Sequence, residues 1–285
     1  MTGDTLLEVQ DVELAIGGLQ ILRGVSFAVR RDEFFTVIGP NGAGKTSLLN
    51  VLSRIYRPTR GSVRFGDVDL LAQHRTALSG LGIARTFQNL ALFDDMDVMD
   101  NVVLGRHRLM RSGVATGAVW FGRARREERL ARQACEPLID LLGLGDHLTR
   151  PVRDLPYGIK KRIELARALA VDPTLLLLDE PAAGMNDEET DELAEWILVA
   201  KRELGLTVVM IEHDMGMVTR LGDRSLVLDF GTVITVEAPS VAIADPRVIS
   251  AYLGDDSDEP EDPTETGNIA LRIPRHSRRR KGGVR

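Results

Sequence analysis

The stretch Phe34–Leu52, FFTVIGPNGAGKTSLLNVL, decides the fold. Its opening, FFTVIG, reads as a strand buried on both faces, because it is an unbroken run of apolar and β-branched residues ending at a glycine. After Gly44, KTSLLNVLSRI carries apolar residues at helical spacing and stops at RPTRG, where Pro58 and Gly61 break the helix. Between strand and helix, Gly39, Gly44, Lys45 and Thr46 satisfy G-x-x-x-x-G-K-[ST] in the context that motif requires. Its glycines let the backbone of Gly39, Pro40, Asn41, Gly42, Ala43 and Gly44 wrap closely around a phosphate. Lys45 reaches the β and γ oxygens, and the Thr46 hydroxyl, beside Ser47, offers a ligand to Mg²⁺.

Working outward, two further apolar runs end in polar residues. In TLLLLDEP, Asp179 closes a strand where a carboxylate can hold the shell of a Mg²⁺ ion. Glu180 beside it can orient or deprotonate a water. In TVVMIEHD, His213 stands at a strand end; taken alone it is an ordinary polar loop residue. Gln88 in ARTFQN falls where the core meets a helical region and carries no signal by itself. Further along, RDLPYGIKKRIELARAL reads as a turn leading into a helix, with Tyr157 and Gly158 at its start and Pro156 where a missing N–H costs little. The uncapped N–H groups of a helix start make an anion site.

Composition bounds the rest. The 285 residues are 44% apolar, enough for a large core, and a net charge of −6 argues against a nucleic-acid-binding surface over the body. A single cysteine, Cys135, excludes an intrachain disulfide or a cysteine metal cluster and reads as a small helix residue. No apolar run approaches the roughly 18 residues needed to span a bilayer, and MTGDTLLEVQ lacks the features of a signal peptide. A soluble or peripheral cytoplasmic protein is expected.

Residues Leu6 to Val37 read as a strand-rich antiparallel region, followed after the first helix by GSVRFGDVDL as another strand and turn. From about Leu90 to Leu165, helical periodicity and charge dominate, as in RARREERLARQACEPLIDLLGL. The runs around Asp179 and His213 then restore buried parallel strands, so the core is α/β. The expected division is a domain over 1–254, with its core in about 1–89 and 166–254 and a helical part in about 90–165. Beyond it, DDSDEPED and RIPRHSRRRKGGVR put an acidic block before a basic one, so 255–285 reads as a disordered, solvated tail.

In this order, GPNGAGKTS, ARTFQN, LPYGIKKRIELARAL, LLLLDEP, PAAGMN and IEHD resemble the ATP-binding cassette (ABC) family. IARTFQNLALF, PAAGMN and DPRVISAYLG are similar to the ATPase subunits of branched-chain amino acid uptake transporters, and the resemblance covers about Leu6 to Gly254. It implies a P-loop NTPase core of RecA-like type with an antiparallel β subdomain and an inserted α-helical subdomain. It further implies a cassette on the inner face of the cell membrane, bound to transmembrane permease subunits and served indirectly by an extracytoplasmic substrate-binding protein. Two cassettes, copies or paralogues, would pair head to tail around two ATP molecules, with the PYGIKK helix start facing the partner's γ-phosphate. Lys45, Thr46 and Asp179 would then serve ATP and Mg²⁺, Glu180 the water and His213 the γ-phosphate. Gln88 would contact the metal, the nucleotide and the permease, and Asn186 would lie at the dimer interface.

The chain departs from that pattern twice. Pro156 and Ile159 replace the serine and glutamine of the family's commonest signature, and in LAIGG Ile16 stands where an aromatic usually stacks on adenine. Two other readings stay open: a non-transport cassette ATPase acting on ribosomes or DNA, and a nucleotide-gated regulatory subunit.

Overall fold

The computed structural model describes residues 5–86, 92–107 and 123–254. Strands β1 (Thr5–Ile16), β2 (Leu19–Arg30), β4 (Arg60–Phe65) and β5 (Val68–Asp69) form an antiparallel sheet in the order β2-β1-β4-β5. A second sheet has the order β10-β9-β3-β8-β7-β6. It contains β3 (Phe34–Ile38), β6 (Ile83–Arg85), β7 (Leu175–Asp179), β8 (Thr207–Ile211), β9 (Arg224–Asp229) and β10 (Thr232–Glu237). Only β10 runs antiparallel to its neighbour there. The antiparallel reading of the N-terminal region therefore holds to Arg30, and Phe34 onward belongs to the parallel sheet.

All five residues of β3, of β7 and of β8 are buried, as strands covered on both faces must be. Their period of two sorts the side chains between two cores. Phe34, Leu176, Leu178, Val208 and Met210 join a helical core. Phe35, Leu175, Leu177, Val209 and Ile211 face α1 (Lys45–Leu52) and the antiparallel sheet. Phe35 stacks on Phe27 of β2 with centroids 5.3 Å apart, which docks the two sheets. Thr36 is fully buried yet costs little, because its hydroxyl and that of Ser225 lie 2.6 Å apart in a hydrogen bond.

The helical core is closed by α2 (Val98–Gly105), α3 (Arg123–Leu141), α4 (Tyr157–Leu169) and α5 (Asp187–Leu204). Cys135 of α3 is fully buried there, and burial raises its thiol pKa. The crossing of α2 on α4 requires a glycine, since a Cβ at Gly105 would stand 2.2 Å from the Arg167 carbonyl oxygen. α4 runs unbroken past residue 165 into the core of the parallel sheet. Helices α6 (Met215–Leu221), α7 (Pro239–Ala244) and α8 (Pro246–Gly254) complete a smaller cluster around Ile38 and Val227. No helix among the described residues is long and apolar enough to cross a membrane.

A candidate nucleotide site at the carboxyl ends of the parallel strands

Strand register assembles the site. Val37 pairs with Ile211, and Ile211 with Asp179, so β3, β8 and β7 end side by side. The segments after them carry Lys45, His213 and Glu180, at the carboxyl ends of the strands where open α/β folds bind ligands.

Gly44 caps α1 in the left-handed region (φ 100°) without any side-chain hydrogen bond, so the first-turn N–H groups remain available to an anion. Gly39, Pro40, Ala43 and Lys45 are buried, whereas Asn41, Gly42 and Thr46 are exposed and Ser47 is half-buried. A Cβ at Gly39 would lie 2.1 Å from the Leu228 carbonyl oxygen, so only glycine fits between the loop and β9. From the other side the Gly231 N–H donates to Ala43 O over 3.0 Å. Lys45 Nζ donates to Gly39 O at 2.6 Å and Pro40 O at 2.9 Å. Burial lowers its pKa, and the charge of Glu180 opposes that shift. A phosphate would replace two neutral carbonyl acceptors with charged ones, which a buried ammonium favours.

Asp179, at the end of β7, is 3% exposed. Its Oδ2 accepts from Arg85 Nη2 at 2.7 Å, while the buried Oδ1 has no hydrogen-bond partner among the described residues. A buried carboxylate oxygen without a donor suits a hard cation. Glu180 adopts φ +46°, a conformation rare outside glycine, and its N–H donates to Ile211 O at 3.0 Å. That bond ties the Glu180 backbone to the end of β8.

Sequence reading overlooked Arg85 and Glu212. Arg85, at the end of β6, also donates to Asn50 Oδ1 at 2.8 Å, tying α1 to Asp179. Glu212 is 1% exposed; its Oε1 accepts from Ala182 N at 2.9 Å and its Oε2 from His213 N at 3.0 Å. It thus binds the loop after Glu180 to the loop carrying His213, whose side chain is exposed. The available signal was a carboxylate directly after an apolar strand.

The remaining expected residues are more scattered. Ile16 ends β1, paired with Leu19, and is 43% exposed; β2 borders the phosphate loop, its Ile21 O lying 3.1 Å from where a Gly44 Cβ would be. Tyr157 and Gly158 open α4, whose Pro156 cap makes no side-chain hydrogen bond. The Tyr157 hydroxyl donates to Ala183 O at 3.0 Å, so that side chain is engaged within its own chain. Asn186 caps α5 in a reciprocal capping box with Glu189. Gln88 lies outside the described residues.

A phosphate loop and an acidic strand end joined by a parallel sheet, with a separate helical layer and an antiparallel sheet, define a nucleotide-binding cassette. Residues 22–183 match the family model described as ABC transporter, and the chain belongs to that family. It is 36% identical over 250 residues to the high-affinity branched-chain amino acid transport ATP-binding protein LivG of Salmonella typhimurium, a match covering 88% of this chain and 98% of that protein. Against BraF of Pseudomonas aeruginosa, named for the same transport, the identity is 35% with the same coverage. Among solved structures, the ADP conformation of an ATP-binding cassette of an ABC transporter superposes with a TM-score of 0.77 at 26% identity, over 88% of this chain and 99% of that one.

Proposed function

We propose that this chain is the ATP-binding and ATP-hydrolysing subunit of a membrane importer for branched-chain amino acids or related small polar substrates. The observation that carries this reading is the near end-to-end match to LivG, 98% of whose length is covered, together with the grouping of Lys45, Asp179, Glu180 and His213 at the carboxyl ends of β3, β7 and β8.

In this reading the backbone of Gly39–Ser47 cradles the phosphates, Lys45 leaves Gly39 O and Pro40 O for phosphate oxygens, and Ile16 packs on the base. Thr46, Asp179 and Gln88 would hold Mg²⁺, which would supply charge neutralisation to the phosphates. Glu180 orients the attacking water or takes its proton, and His213 hydrogen-bonds the γ-phosphate. The uncapped start of α4, at Tyr157 and Gly158, faces the nucleotide of a second cassette paired head to tail.

The core extends over about 1–89 and 166–254, the helical part over about 90–165 meets the permease subunits, and 255–285 is a charged tail. The complex sits on the inner face of the cell membrane and receives its substrate from an extracytoplasmic binding protein. No specific nucleic-acid partner is involved.

The test is reconstitution. Complexes purified from membranes with this chain as bait should contain permease subunits, and vesicles holding them should accumulate labelled leucine, isoleucine or valine only with ATP. Recovery of ribosomes or DNA-repair proteins in place of permeases would contradict the reading.

A further inference from the structure

The Tyr157 hydroxyl makes a contact to which the roles proposed above give no function. Its ring is exposed on one side, while the Lys161 ammonium lies 5.7 Å from the ring centroid on another. The Lys161 side chain is only 2% exposed, and its ammonium lies 3.8 Å from Glu164 Oε2. At the far end of the phenol, the hydroxyl donates to Ala183 O, and a Cβ built on Gly184 (φ +80°) would touch it at 3.6 Å. The phenol is therefore held both along its ring and at its tip.

The segment it reaches is the one that leaves Glu180. Ala183 N donates to Glu180 O at 3.1 Å, Met185 N to Ala182 O at 3.0 Å, and Ala182 N to Glu212 Oε1. Glu180 itself sits at φ +46°, and such a backbone persists only where surrounding bonds over-determine it. Among the described hydrogen bonds, Tyr157 Oη to Ala183 O joins the start of α4 to this loop directly.

We propose that Tyr157 is a positioning residue whose hydroxyl couples the start of α4 to the placement of Glu180 in the same chain. This rests on the head-to-tail reading: α4 serves the partner's nucleotide, Glu180 the chain's own, so the strut links the two ATP sites. Nucleotide arriving against α4 would set the loop of the other site, without any contact between Tyr157 and the nucleotide that Glu180 serves.

The experiment uses complexes whose two cassettes carry different tags and in which one cassette has its catalytic carboxylate replaced, as in Glu180→Gln, so that one site turns over. Tyr157→Phe keeps the ring and its packing and removes only the hydroxyl. Placed in the chain that retains Glu180, it should lower kcat roughly two- to tenfold, the range of one neutral hydrogen bond, with KM for ATP unchanged. Placed in the opposite chain, it should have the smaller effect. Loss in the opposite chain alone, or in neither, would overturn the proposal. Gly158→Asp in the same two arms controls for the pairing: it should act from the opposite chain, and action on its own site alone would place the fault in the head-to-tail reading instead.

Discussion

Arg85 donates to Asp179 across 2.7 Å, with side chains 8% and 3% exposed. The pair neutralises a carboxylate that would otherwise be stranded in the core, and Oδ1 is left without a hydrogen-bond partner among the described residues. Removing one partner of such a pair costs about 3–5 kcal/mol, because the remaining charge is buried alone. Arg85→Met should therefore lower the denaturation midpoint sharply, and Asp179→Asn in the same chain should restore much of it. Chemical denaturation of the two single variants and the double variant checks this; additive losses would show that the pair is not coupled.

Lys45 gives a pH dependence whose sign is fixed by its surroundings. Burial holds its pKa below the usual lysine value in the free protein, and phosphate oxygens would raise it on binding. ATP affinity should be full at pH values below the free-state pKa and decline as pH rises through it, since the neutral amine cannot pair with phosphate. Isothermal titration across alkaline pH should show that decline, and Lys45→Ala should bind weakly at every pH without it.

Glu180 pays for its position in backbone strain. A left-handed conformation costs a non-glycine residue about 1–2 kcal/mol. Glu180→Gly should consequently be more stable than Glu180→Gln by about 1 kcal/mol, while neither turns over ATP. Thermal melts of the two variants under one buffer decide the point; equal melting temperatures would show that the loop is relaxed.

Ile16 should set base selectivity. It is exposed beside the strand that borders the phosphate loop, and an aliphatic side chain lacks the roughly 0.5–1.5 kcal/mol that aromatic stacking adds beyond area. Ile16→Tyr should raise ATP affinity about threefold to tenfold. Unchanged ATP affinity would place the base elsewhere.

The parts of this molecule that could be read from sequence are those whose chemistry is contiguous along the chain. FFTVIGPNGAGKTS states strand, loop and helix in succession, and the structure places them so. The α/β core followed from apolar runs too long to alternate, since strands buried on both faces need no polar side. Arg85 and Asp179 are 94 residues apart, and nothing local to either announces the other. Glu212 stood in plain view in TVVMIEHD, but the bond by which it ties two loops together comes from Ala182 N, thirty residues away. Tyr157 was read only as part of a helix start, whereas the partner of its hydroxyl is set by how α4 packs against the loop after β7.

The central claim, that the edge formed by β3, β7 and β8 hydrolyses ATP with Glu180 as its catalytic carboxylate, meets its most direct test in a single-turnover measurement. Glu180→Gln, assembled with its partner cassette and permease, should retain labelled ATP with Mg²⁺ and release no phosphate beyond background, while the natural sequence releases it. Normal phosphate release from Glu180→Gln would contradict the account.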